Sequence, residues 1–179
     1  MLIGGAGLTI LLIDKSFSFK DTFRFSKIKH VKFRLLVLVA SFFISSCLLL
    51  ILEPSMYLRF FKEFPIFALI LPPLYTLFSV VPQTVVYRVL FFHRYAHIFK
   101  TKNEKLFASA LVFSFAHIVM LNAPALILTF IGGIFFSKFY LKDKSILGSV
   151  LEHGAHGSLL FILGFGVYLY SGFDNIPIE

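Results

Sequence analysis

The amino-acid sequence predicts an all-α protein, a polytopic bundle of transmembrane helices with about six crossings and a short or truncated first one. Three observations lead there. Hydrophobic residues make up 58% of the 179-residue chain and charged residues 15%, with a mean hydropathy of +0.88. Soluble domains run nearer roughly 45–50% apolar and about 25% charged, so a water-soluble domain, a disordered tail, a collagen-like fibre and a disulfide scaffold are all excluded. Apolar runs approaching the about 20 residues of a membrane span recur along the chain. The basic residues cluster in alternate connections between those runs, as membrane topology requires.

The runs follow in order. Met1 to Ile13 is apolar but reaches only roughly 20 Å as a helix. No Lys or Arg precedes it and no small-residue cleavage site follows, so a signal peptide fits poorly. It is read as a partial span, or as the end of a longer helix that starts upstream. Leu35 to Leu52 carries no charge. Phe64 to Phe92 is interrupted by Pro72-Pro73 and Pro82 and carries Arg88. Leu106 to Leu121 and Ala125 to Phe136 are joined through Asn122-Ala123-Pro124, a turn signal. Ile146 to Tyr170 is rich in glycine and carries Glu152, His153 and His156. The lone Cys47 has no partner for an intrachain disulfide.

Segments 14–34, 93–105 and 137–145 hold 14 of the 17 Lys and Arg residues, and the positive-inside rule puts them in the cytoplasm. Segment 53–63 has only Arg59 and Lys62, and the turn at 122–124 has none. Splitting 64–92 into two spans would move Lys100, Lys102 and Lys105 to the other side. One long, tilted or kinked crossing keeps the alternation, because neighbouring helices can satisfy backbone groups freed by proline. In 14–34, Phe17, Phe19, Phe23 and Phe25 alternate with polar and basic residues. That pattern suits a headgroup layer, where anionic lipid attracts each cation, and it equally suits an ordinary loop. No nucleic-acid-binding motif accompanies the charge, so nucleic acid is not an expected partner.

Ionisable groups at membrane depth are costly and mark candidate sites. Here they are Gln83, Thr84 and Arg88 in the 64–92 run, His117 in 106–121, and Glu152, His153 and His156 in the last run. At 100° per residue Thr84 and Arg88 share a helix face, as do Gln83 and Tyr87. Glu152, His153 and His156 fall within roughly a third of one helix's circumference, too polar a face for lipid. Gly154, Gly157, Gly164 and Gly166 would let neighbouring helices close around it. Three imidazoles and a carboxylate can supply a zinc-type site whose bound water becomes a nucleophile. The plainer alternative is a buried Arg88–Glu152 ion pair, with the histidines bonded to backbone carbonyls. His93 and His97, beside Arg94, read as interfacial residues.

The run Val80-Val81-Pro82-Gln83-Thr84-Val85-Val86-Tyr87-Arg88 resembles motif one of the CPBP family. These are the CAAX-protease and bacteriocin-processing intramembrane metalloproteases, also called Abi or Rce1-like proteins. That motif, Glu-Glu-x-x-x-Arg, stands here as Gln83-Thr84-x-x-x-Arg88. Phe113 and His117 match the second motif, Phe-x-x-x-His. Leu151-Glu152-His153-Gly154-Ala155-His156-Gly157-Ser158 occupies the third, a late-helix His usually followed four residues on by Asn or Asp, a position held here by Gly157 or, one residue later, Ser158. The resemblance covers residues 64–170, in the family's order and on separate spans.

The resemblance implies endoproteolysis within a bacterial-type cytoplasmic membrane, on lipidated CAAX tails or bacteriocin-type hydrophobic peptides. It implies a divalent metal, zinc first, held by His117 and His153. It also implies a motif-one Glu that activates water and an Asn-type group that supports the oxyanion. Both motif-one carboxylates are absent, and neither an amide nor a hydroxyl is a general base near pH 7. Either Glu152 or His156 takes over that role, or this member is a silent membrane adaptor that binds a hydrophobic peptide. A transporter has less behind it, since no internal repeat stands out.

Overall fold

The structure is a computed structural model and describes residues 2–18 and 28–169. Phe19, Lys20, Phe23, Arg24, Phe25 and Lys27 of the basic aromatic segment, and Tyr170, lie outside the described residues. Seven helices form the described chain: α1 (Leu2–Ile13), α2 (Val31–Leu52), α3 (Arg59–Glu63), α4 (Pro65–Ile98), α5 (Lys102–Phe115), α6 (Ala123–Asp143) and α7 (Ile146–Leu169). No strand occurs among the described residues. By length and composition, α2, α4, α6 and α7 can each cross a membrane, while α1 is a shorter apolar helix and α5, of 14 residues, opens on charged residues. The six apolar runs each become a helix, and the chain is an integral membrane protein. Much of α2 is exposed, with Leu36, Ile51 and Leu52 all more than 60% accessible, as a lipid-facing helix requires.

The 64–92 run is one continuous helix, as the charge alternation demands. Its 34 residues would reach about 50 Å as an α-helix, well beyond the about 30 Å hydrocarbon core. Two stretches, Thr76–Val80 and Val85–Tyr95, wind as π-helix. The first follows Pro72 and Pro73 directly and runs up to Pro82. A proline removes the N–H that the carbonyl four residues back would accept. Widening the turn lets that carbonyl reach the next N–H instead, and single π-turns gather at functional sites for this kind of reason.

Short polar signals punctuate the rest. Thr101 and Glu104 cap α5 reciprocally: Glu104 N donates to Thr101 Oγ1 at 3.2 Å, and Thr101 N to Glu104 Oε2 at 3.4 Å. Asn122 accepts from Ala125 N at 2.8 Å, so the expected turn at 122–124 starts α6. Ser145 caps α7 through Gly148 N at 3.2 Å. Near its end α7 kinks at Gly164, where φ is +128° and a Cβ would stand 2.2 Å from Met56 O. Only glycine fits that conformation.

α4 and α7 sit at the centre: α1 and α5 pack on α4, and α2, α4 and α6 pack on α7. α1 comes in tightly, with the Gly7 Cα so placed that a Cβ would lie 2.6 Å from Val86 Cγ2. α5 and α6 run antiparallel, Ser137 Oγ donating to Ser109 Oγ at 2.9 Å. Four helices therefore deliver side chains to one interior region.

Candidate functional site

α4 brings Tyr75, Gln83, Thr84 and Arg88, α5 brings Ser109, Phe113 and His117, α6 brings Phe136, and α7 brings Glu152, His153, His156 and Ser158. Phe113 is the hub. Its ring centre lies 4.8 Å from that of His117 and 5.4 Å from that of His153, and the Arg88 guanidinium carbon lies 4.8 Å over its face. The Phe-x-x-x-His spacing thus places the Phe between the arginine and both motif histidines. His153 also stacks on Phe136 at 4.6 Å and 22°.

Each histidine has a distinct state. His117 Nδ1 lies 2.8 Å from Phe113 O, and His156 Nδ1 2.9 Å from Glu152 O. A carbonyl only accepts, so each Nδ1 carries a proton, and in the neutral form of either ring the lone pair is on Nε2. His153 Nε2 lies 3.3 Å from the Tyr75 hydroxyl. The glycine expected at Gly157 explains that approach: a Cβ there would stand 2.3 Å from Tyr75 Oη. Four residues after His153, where the family motif carries its Asn-type group, a tyrosine hydroxyl from α4 fills the space. Tyr75 was not among the sequence candidates; its one signal was Gly157 itself.

The expected Arg88–Glu152 pair is corrected by the structure. Glu152 Oε2 accepts from Arg34 Nη1 at 2.9 Å, and Arg34 also pairs with Asp143. The Arg34 guanidinium carbon lies 4.1 Å over the Phe139 ring. Arg34 had been counted with the solvated cytoplasmic charges, yet it is 6% exposed. It begins the first turn of α2, which lies against the α6–α7 turn, where two carboxylates nine residues apart face one guanidinium. Arg88 instead donates through Nη1 to Tyr87 O at 2.8 Å and to Ser109 Oγ at 3.3 Å. Its Nε and Nη2 have no partner, and among the described residues no carboxylate pairs with it.

Gln83, Tyr87 and His117 line a common pocket of about 200 Å³, with Ser79, Pro82 and Met120. The shared face of Gln83 and Tyr87 is as expected. Gln83 Nε2 donates to Ser79 Oγ at 2.8 Å. Thr84 and Arg88 form the buried face beside it, each 2% exposed. Ser158 lies apart, on a wider apolar groove of about 510 Å³ between α4 and α7, lined with Thr76, Leu77, Val81 and Gly154 among others. Glu152 lines neither. His156 stays with Glu152, its Nδ1 3.7 Å from Oε1.

The expected metal finds two imidazoles here, His117 and His153, which share the Phe113 ring with the guanidinium of Arg88. Among the described residues no three of His, Cys, Asp and Glu are gathered so as to hold an ion. A guanidinium beside the two rings also opposes a dication. This donor set does not fit a zinc-type centre.

The spans thus gather an arginine, two histidines and an aromatic hub into one interior region. Residues 64–159 match the family model described as type II CAAX prenyl endopeptidase Rce1-like. That is more than half of the chain, and the chain belongs to this family. Neither a curated protein nor a solved structure matches it.

Proposed function

We propose that this member binds a hydrophobic or lipid-modified peptide at the Gln83–His117 pocket and hydrolyses it slowly or not at all. The observation that carries the reading is that, among the described residues, no carboxylate lines the pocket. Gln83 and Thr84 stand where the motif has two glutamates, and Glu152 is engaged by Arg34. A neutral amide cannot take a proton from water near pH 7. What the family's scaffold retains is apolar surface for a peptide, the cation Arg88, and two imidazoles.

One observation favours residual hydrolysis. His117 Nε2 is the free lone pair of a ring that lines the same pocket as Gln83. It can accept the proton of a water attacking a peptide held there. Placed in a cytoplasmic membrane with its basic connections inside, the site would meet peptides that carry a lipid anchor.

The test is capture against turnover. Full-length protein in lipid nanodiscs is incubated with a prenylated peptide, and both bound intact peptide and cleaved product are quantified. The reading expects intact peptide to be recovered with little product. Rapid turnover by the unmodified chain would overturn it, and loss of that turnover in His117→Ala would assign the base.

A further inference from the structure

One wall of the Gln83–His117 pocket lies outside the segment that matches the family. Residues 64–159 carry the match and supply the pocket's α4 face and its His117 end. The other lining residue is Gly4, in α1. α1 therefore belongs to the site as well as to the bundle. It adds no side chain there: a Cβ at Gly4 would stand 2.4 Å from Pro82 Cβ, so bare backbone closes the pocket against α4.

The two halves of α1 are held unequally. Leu11 is buried with Val85, Val89 and Leu90, and Asp14, just past the helix, reaches His93 and Arg94. The half at the pocket carries Gly4, Gly5 and Gly7, while Ala6 and Leu8 are exposed. Glycine brings no side chain to packing and has the most backbone freedom to lose, which weakens a helix interior. Freeing the pocket half thus forfeits few contacts among the described side chains. Freeing the other half would expose Leu11 and break the contacts of Asp14.

A guest needs such an opening. The pocket measures about 200 Å³, against roughly 150 Å³ for a cavity that holds benzene. It has room for one large apolar side chain, and a peptide reaches it only if a wall parts. α4 is fixed at the centre of the bundle and α5 by its packing along α6, so α1 is the wall with least to lose. We propose that α1 is the gate of the pocket: its first two turns leave Pro82 and Val86 to admit the guest and close again, pivoting on Leu11 and Asp14. That the guest is a hydrophobic or lipid-modified peptide rests on the reading above; the opening of α1 does not.

The experiment follows the association rate of a fluorescent farnesylated peptide with the full chain in nanodiscs. In parallel, without peptide, the distance between spin labels at Leu8→Cys and Leu121→Cys is measured in a Cys47→Ala background, both label sites being exposed. Gly4→Ala forces α1 against Pro82, and overpacking of this kind is expected to speed association and to raise the longer-distance population, each about tenfold. Gly5→Ala is the control on the same helix: its Cβ meets nothing within 4 Å, it favours helix, and neither quantity should rise. Asp14→Asn loosens the pivot and should raise both, which keeps the test valid if Gly4→Ala does not fold. Distances unchanged in both Gly4→Ala and Asp14→Asn overturn the proposal. So does a peptide that binds no faster in either, or one that Gly5→Ala accelerates equally. If no chain binds peptide while the distances respond as stated, the gate stands and the peptide reading falls.

Discussion

Arg34 Nη1 lies 2.9 Å from Glu152 Oε2, joining the first turn of α2 to the helix that carries both late histidines. With Asp143 on the same guanidinium, this contact anchors the α6–α7 turn and keeps Glu152 away from Arg88. Removing one member of a buried pair leaves an uncompensated charge and typically costs about 3–5 kcal/mol. Arg34→Leu takes the guanidinium from two carboxylates, whereas Glu152→Leu leaves Arg34 with Asp143. Arg34→Leu is therefore expected to lower the unfolding temperature in detergent more than Glu152→Leu does. Equal losses would mean that Asp143 does not share the guanidinium.

Arg88 and Glu152 should behave as independent sites. Residues without a shared partner add to within about 0.5 kcal/mol in a double-mutant cycle. Arg88→Leu combined with Glu152→Leu is expected to show the sum of the single losses. Recovery of stability in the double variant would restore the direct pair.

At the C-terminal end of α1, Asp14 tethers α1 to α4. Its carboxylate accepts from Ser16 Oγ at 2.6 Å and Ser16 N at 3.0 Å, and it lies 3.3 Å from His93 Nε2 and 3.4 Å from Arg94 Nη1. The Ser16 hydrogen bonds, helped by His93, hold its pKa below the ordinary carboxylate value. A folded pKa below the unfolded one gives stability that is present above the unfolded value, about 3.9, and is lost as pH falls through the folded one. Unfolding temperatures of the native chain and Asp14→Asn should differ at neutral pH and converge below about pH 4. A difference that persists at low pH would remove the tether.

The kink in α7 depends on one residue. Gly164→Ala must adopt a φ of +128° and place a Cβ 2.2 Å from Met56 O. Strain of this kind costs on the order of 1–3 kcal/mol before the backbone shift is counted. The variant should also lose protection at Leu58 N, which donates to Leu163 O at 2.8 Å, in amide exchange. An unchanged exchange rate there would place the kink elsewhere.

Much of this arrangement was legible in the sequence, and the failures have one cause. Period, charge alternation and proline placement gave the helices, the single long α4 and the turn at Asn122. Helix phase put Gln83 with Tyr87, Thr84 with Arg88, and Glu152 with His156. Pairings between helices were not legible, because a one-dimensional pattern does not say which faces meet. Arg34 looked like one more cytoplasmic cation, since its neighbours Lys29 and Lys32 are basic and its two carboxylate partners lie 109 and 118 residues away. His93 reads as interfacial, and its partners there, Asp14 and the ring of Phe17 at 5.0 Å, lie on or beside another helix and were not legible for the same reason. Tyr75 was hidden for the same reason, being the side chain that a glycine on another helix admits.

The most direct test of the account is the rate of peptide cleavage by Gln83→Glu against the native chain, on the same prenylated peptide in nanodiscs. A positioned general base contributes typically about 10²–10⁴-fold. Restoring a carboxylate to the pocket shared with His117 is expected to raise turnover by at least about 100-fold over a native rate near background. A native chain that already cleaves rapidly, with Gln83→Glu no faster, would contradict it.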